Sequence, residues 1–230
     1  MRHNPDAVMI FAAGLGTRMR PLTNTRPKAL VEASGEPLIE HALALPRSAG
    51  VSRIVVNTHA HADQMHRYLK VLPDVMISHE SALLDTGGGL QAALPILGAG
   101  PVFTLNSDAV WSDQSALTCL AAHWNPDRMD ALLLLVTPKQ AHGYTRPGSF
   151  DMDSKGRLIR PGSLVYTGAQ IIKIDQLKDC PKGAFSMWWL WEKIFEDGRM
   201  FGCRYAGEWA DVGTPEGIEI AEAMLDASSV

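Results

Sequence analysis

The feature that most constrains this chain is a rhythm in its first 140 residues, where short apolar runs alternate with stretches of helical spacing. Residues 8–12, 53–57, 75–79, 102–106 and 131–136 read as buried strands. Between them, residues 37–49, 62–72, 87–97 and 114–123 carry helical periodicity, with Pro46 expected to kink or shorten the first helix. Strands alternating with helices of this length imply βαβ units, and hence an α/β fold with a doubly wound, mostly parallel sheet covered by helices on both faces. After residue 140 the texture changes. Residues 149–152 and 157–160 flank an Asp153-Ser154-Lys155-Gly156 turn, which suits a small β-hairpin cover over the C-terminal sheet edge, and residues 165–174 look like one more strand. An aromatic-rich helix over 186–197 and a helix begun by Thr214-Pro215-Glu216 complete the reading.

With 230 residues, the chain is expected to form one domain. Lys and Arg total 21 against 25 Asp and Glu, so the overall field would not gather nucleic acid or anionic lipid, and neither is expected as a partner. No apolar run near the N-terminus approaches the roughly 18 residues of a membrane span. Three widely spaced cysteines, Cys119, Cys180 and Cys203, fit a reducing cytoplasm and are read as packing residues.

The segment after the first strand concentrates the chemistry. Between Asp6 and Glu32 stand four cations, Arg18, Arg20, Arg26 and Lys28, and no carboxylate. Gly14 and Gly16 permit backbone N–H groups to converge on phosphate oxygens, and the cations add charge-assisted bonds. The alternative is a tight turn with a solvated basic edge. A dinucleotide fingerprint fails here, because Met19 stands where its third glycine belongs and Asn57 where its acidic residue belongs. No Gly-Lys-Ser/Thr string completes a P-loop either.

The string Gly14-x-Gly16-Thr17-Arg18-x-x-Pro21-Leu22-Thr23, followed by Pro27-Lys28, resembles the N-terminal signature of the sugar-1-phosphate nucleotidylyltransferases. The resemblance implies a Rossmann-like sheet on which a sugar-1-phosphate attacks the α-phosphate of an NTP, giving an NDP-sugar and pyrophosphate. The attacking oxygen is already anionic, so positioning and charge neutralisation carry the rate, with a hard divalent cation, Mg²⁺, held by carboxylates.

Asp108 follows an apolar strand at the sheet edge where open α/β folds bind ligands, although a cap or turn role would also suit it. The family places a metal aspartate at this point, with Ser107 here replacing the usual glycine. Asp211, in Trp209-Ala210-Asp211-Val212-Gly213-Thr214-Pro215-Glu216, matches the family's second acidic string. Asp108 and Asp211 are therefore the expected metal ligands. Lys28 would sit nearer the α-phosphate and Arg18 nearer the departing pyrophosphate.

Three consecutive glycines in Asp85-Thr86-Gly87-Gly88-Gly89 cost helix stability, so something must approach that backbone closely. A nucleobase edge is the natural candidate, and a flexible helix start the plain one. The nucleotide is accordingly expected on Ala12, Ala13, Gly14, Gly16, Thr86 and Gly88. The sugar is expected on Asn106, Gly148 and Arg160, with residues 1–140 as nucleotide core and 141–230 as sugar portion. His59, His61 and His66 do not share one helical face and are read as loop and surface residues.

Within the family, the Asp-Thr-Gly-Gly-Gly string, the Tyr166-Thr167-Gly168 turn and the Trp-Ala-Asp-Val-Gly-Thr ending are most similar to members that join UTP to N-acetylmuramate 1-phosphate. Mannose-1-phosphate guanylyltransferases, or a non-catalytic nucleotide-sugar sensor, are the alternatives. Many hexose-specific members carry Glu-Lys-Pro where this chain has Ile159-Arg160-Pro161. Arg160 is thus expected to answer a substrate carboxylate such as a lactyl group.

Overall fold

The computed structural model describes residues 4–228. The chain runs β1 (Ala7–Phe11), β2 (Glu32–Ala33), β3 (Glu36–Pro37), α1 (Leu38–Ser48), β4 (Arg53–Thr58), α2 (Ala62–Leu69), β5 (Val75–His79), α3 (Asp85–Ala92) and α4 (Leu94–Leu97). It continues through β6 (Pro101–Asn106), β7 (Ala109–Trp111), α5 (Ala116–His123), β8 (Ala131–Val136), β9 (Ala141–His142), β10 (Phe150–Met152) and β11 (Leu158–Lys173). The last elements are α6 (Trp188–Glu196), β12 (Met200–Arg204), β13 (Trp209–Asp211) and α7 (Pro215–Ser228).

The main sheet has the order β12-β8-β11-β6-β1-β4-β5, with β10 paired to β11. Strand β1 is parallel to β4 and β6, β4 to β5, and β8 to β12, while β11 runs antiparallel to both β6 and β8. The expected doubly wound sheet is present, and β11 is the reversed strand within its path. Its first half forms the expected hairpin with β10; its second half, Ala169–Lys173, fills a central place between β6 and β8.

Side-chain alternation along the strands sorts the core into two layers. Val8, Ile10, Ile54, Val56 and Leu105 pack with α1, α2 and α5, whereas Ala7, Met9, Val55 and Val102 pack with α3, α4 and α6. Pro46 lies inside α1, which continues to Ser48. The missing N–H falls in the last turn, where its loss interrupts little of the helix. A third cluster, Met19, Leu38, Val110, Ala210, Val212 and Ala221, seats α7 under the short sheet β7-β13-β9.

The cysteines pack as expected, Cys203 within the core and Cys180 in its second layer, and the packing of α5 on β12 also brings the Cys119 and Cys203 sulfurs within 4.8 Å. Among the described residues, no helix is long and apolar enough to cross a membrane.

Candidate active site

The C-terminal ends of β1 and β6 open onto a cleft of about 400 Å³. Two sheets meet there. Asp108 leaves β6 just before β7, and Asp211 ends β13. Antiparallel pairing sets Asp211 opposite Ala109, and Val212 N–H donates to the Asp108 carbonyl at 2.9 Å. The short sheet therefore fixes two acidic side chains side by side, although they lie far apart in the chain.

The loop after β1 supplies the positive charge. Gly16 adopts φ +62°, and a Cβ there would fall 2.9 Å from Thr23 Cγ2 and 3.1 Å from Lys28 Cβ, so only glycine lets the loop fold onto Lys28. The Thr23 hydroxyl donates to the Gly16 carbonyl at 2.8 Å and locks this turn. Lys28 Nζ then donates to Asp108 Oδ2 at 2.7 Å. Gly213, which follows Asp211 closely, has a comparable steric duty: an added Cβ would lie 3.1 Å from Arg18 Nη1 and 3.2 Å from Asp211 Oδ1. Its lack of a side chain leaves the corner where Arg18 and Asp211 meet unobstructed.

Burial pushes the Asp211 carboxyl above its usual range, and the neighbouring charge of Asp108 pushes it further, against the pull of Lys28, Arg18 and Arg146. Two carboxylates set side by side are the kind of oxygen donor set a hard divalent cation takes. The residues present thus fit such an ion.

Arg18, Thr86, Asn106, Asp108 and Asp211 all line the cleft, with Lys28 behind Asp108. Ala12 and Ala13 are buried and do not line the cleft, and the Ala12 N–H is committed to Asn57 Oδ1 at 2.6 Å. Gly14 is exposed, with nothing within 4 Å of where a Cβ would stand. Protein packing therefore does not require glycine at that position. Thr86 Oγ1 accepts from Met187 N–H at 2.9 Å and fastens the start of α6 to the cleft wall.

At three positions expected to meet a ligand, the packing supplies protein partners. The close approach demanded by Gly88 comes from the protein, since a Cβ would fall 2.3 Å from the Gly183 carbonyl oxygen; Gly87 likewise meets Phe185, and Gly89 meets Glu80. Gly148 faces the Ser163 carbonyl, where the chain crosses β11, and a Cβ would collide at 2.1 Å. Arg160 donates through both Nη atoms to Glu192, at 2.9 and 2.7 Å, and stacks over the Phe195 ring. Its charge is spent on α6 and is not aimed into the cleft.

Sequence reasoning missed Arg146, which lines the cleft beside Asp211 and stacks on Tyr144, and it missed Gln170, held by Thr104 and Trp191. Arg146 stands in a segment without any motif, so no local signal marked it. Trp188 and Trp191 line the opposite wall. His59 and His61 bond from the loop before α2 to the Glu80 and Thr23 carbonyls, whereas His66, expected in a loop, lies half-buried on α2 against the Thr58 hydroxyl.

Residues 8–154 match the MobA-like NTP transferase domain. Along 98% of its length the chain is 41% identical to the N-acetylmuramate alpha-1-phosphate uridylyltransferase of Caulobacter vibrioides, covering 99% of that protein. The chain belongs to the sugar-1-phosphate nucleotidyltransferase family. A second member, the enzyme of the same name from Neisseria meningitidis serogroup B, is 31% identical over 95% of this chain and 98% of its own. The nucleotidyltransferase fold extends further. The inositol-1-phosphate CTP transferase of T. maritima superposes with a TM-score of 0.77 at 15% identity, covering 97% of this chain and 98% of that one. Nucleotidyltransferases of this kind use a divalent metal, and Asp108 with Asp211 form a donor pair suited to one.

Proposed function

We propose that this protein transfers UMP from UTP to N-acetylmuramate 1-phosphate. A phosphate oxygen of the sugar-1-phosphate attacks the α-phosphorus of UTP, the bond from that phosphorus to the bridging oxygen of the β-phosphate breaks, and pyrophosphate leaves. No general base is required, because the nucleophile is already an anion near neutral pH. The observation that carries this reading is the meeting of Lys28, Arg18, Asp108 and Asp211 at the mouth of one cleft. That arrangement opposes cations and a cation-binding carboxylate pair to a polyanionic transition state.

Each residue has a stated task. Lys28, ion-paired to Asp108, is positioned to turn toward the α-phosphate, and Arg18 meets the departing pyrophosphate. Asp108 and Asp211 would hold Mg²⁺, which when bound neutralises phosphate oxygens and aligns the two substrates. The open space at Gly14 admits the triphosphate against the loop backbone, with Thr86 on the cleft wall and the turn of Ala12, Ala13 and Gly16 carrying that backbone. Asn106 reaches toward the sugar phosphate. Residues 1–140 are assigned chiefly to the nucleotide and residues 141–230 to the sugar. The division concerns ligand contacts, since β11 and β12 belong to the main sheet. Trp188 and Trp191 offer ring faces to the pyranose, and Arg146 replaces Arg160 as the cation for the lactyl carboxylate.

The test is pyrophosphate release by the purified protein with a panel of NTPs against several sugar-1-phosphates. UTP with N-acetylmuramate 1-phosphate is expected to give the highest kcat/KM. A preference for GTP with mannose 1-phosphate would replace the substrate assignment, and no pyrophosphate with any pair would remove the reaction.

A further inference from the structure

A second cluster of reactive side chains lies outside the cleft lining and plays no part in the chemistry above. Cys119 and His123 stand four residues apart on α5 and so share one helical face. Cys203 belongs to β12 and points into the same core layer as Leu117 and Leu120 of that helix. One donor atom from each of the three side chains lies within 4.8 Å of the other two. Tetrahedral zinc, with Zn–S near 2.3 Å and Zn–N near 2.0 Å, sets its donors about 3.5 to 3.8 Å apart, so a small inward movement of the exposed His123 and half-buried Cys119 completes the set.

The surroundings suit a ligand set. His123 Nδ1 lies 2.9 Å from the Cys119 carbonyl oxygen and 4.0 Å from Cys119 Sγ, so the imidazole stands directly against the first sulfur. The Cys119 S–H donates to the Arg204 carbonyl at 3.6 Å, which turns its sulfur toward the strand that carries Cys203. Cys203 is buried and Cys119 partly so, while His123 lies at the surface, which gives an ion a way in.

We propose that Cys119, Cys203 and His123 form a binding site for zinc or a cation of similar softness, with the fourth position open to water or an added ligand on the His123 side. Binding replaces the remaining S–H protons, which pass to solvent, and involves no change of oxidation state. Two thiolates and an imidazole favour such an ion over Mg²⁺, so the site is chemically distinct from the oxygen pair of the cleft.

The site's place in the fold gives it a purpose. Helix α5 follows β7, and β12 precedes β13; β7 and β13 are the paired strands that hold Asp108 against Asp211. A metal joining α5 to β12 would clamp the two chain segments that assemble the acidic pair.

The experiment uses full-length protein, stripped with chelator and kept reduced so that no disulfide competes. Cobalt(II), and separately zinc(II), are titrated in. A thiolate-to-cobalt charge-transfer absorption is expected to saturate at one equivalent and to be displaced by zinc. The cleft carboxylates cannot produce that signature. Cys119→Ser should abolish the band and His123→Ala should weaken cobalt binding by at least about tenfold, in line with the loss of a ligand. Because both positions are accessible, these variants keep the test independent of Cys203→Ala, whose buried site risks misfolding. In the wild type, zinc should raise the Tm by several degrees once well above its Kd, and this rise should vanish in Cys119→Ser. Absence of a charge-transfer band in the wild type, or a band undiminished in Cys119→Ser, would overturn the proposal.

Discussion

Asp108 is held by Lys28 on one side and faces the half-buried Asp211 on the other, so its charge acts in two interactions at once. Asp108→Asn keeps the side-chain volume and one acceptor oxygen while removing the anion. Turnover should fall by about 10²- to 10³-fold, the scale of losing one preorganised electrostatic contact. Circular dichroism and Tm should stay near wild type, because the side chain is 30% exposed. Turnover within a few-fold of wild type would take Asp108 out of the site. The two arginines separate cleanly in a parallel test. Arg160 is engaged by Glu192 and two aromatic rings, whereas Arg146 lines the cleft. Arg146→Ala should raise KM for a carboxylate-bearing sugar phosphate about tenfold or more relative to a plain hexose phosphate, as loss of a charge-assisted pair predicts. Arg160→Ala should leave that ratio unchanged, and the opposite outcome would return the carboxylate to Arg160.

Helix α3 is the first part of the single helix expected over 87–97, which breaks at Ala93 into α3 and α4. The run Gly87-Gly88-Gly89 does reflect a close approach, and its partners within the protein are the 183–185 segment and Glu80. Gly88→Ala should therefore act on stability, lowering it by about 1–3 kcal/mol through backbone displacement, with little change in nucleotide KM among molecules that fold. Gly14→Ala should do the reverse, leaving Tm unchanged and raising the KM for NTP, because its Cβ would project into space the protein leaves open. Denaturant melts paired with NTP titrations separate the two. The same logic explains what was legible. Strands such as Ala131–Val136 announce themselves as unbroken apolar runs, and helices by the period of their apolar stripe. By contrast β7, β9 and β13 are two or three residues long and exist through pairing with one another, so no local pattern marks them. Asp211 was found through its motif, but its position beside Asp108 depends on the β7–β13 register, which sequence alone did not supply. Arg146 and the Cys119–Cys203 neighbourhood escaped for the same reason, since both are products of long-range packing.

At the scale of the whole molecule, β8, β11 and β12, which are spread over the second half of the chain, must be tied into one side of the main sheet, and Asp130 stands where they join. It lies just before β8, accepts from Lys173 Nζ at the end of β11 at 2.8 Å, and from Arg199 Nε at the entry to β12 at 2.8 Å. Its backbone takes part as well, with Asp130 N–H donating to the Arg199 carbonyl and Lys173 N–H donating to the Asp130 carbonyl. Burial alone would raise this carboxyl, but the hydrogen bonds and charges of Arg199 and Lys173 outweigh it and hold the group below the usual carboxylate range. A native value below the unfolded one, about 3.9, means that the unfolded chain binds the proton more readily. The stabilisation from Asp130 is therefore fully present above the unfolded value and is lost as pH falls through the native one. Asp130→Asn should lower stability by about 1–3 kcal/mol at pH 7, less than for a fully enclosed ion pair because Lys173 and Arg199 are each partly exposed. The gap between the two proteins should stay constant from pH 7 down to about pH 5 and narrow below about pH 4, where the wild-type carboxylate begins to take up its proton. Urea melts of both proteins across that range check the sign: a gap that widened on acidification would mean that the Asp130 carboxyl is raised in the native state, and that the two cations do not govern it.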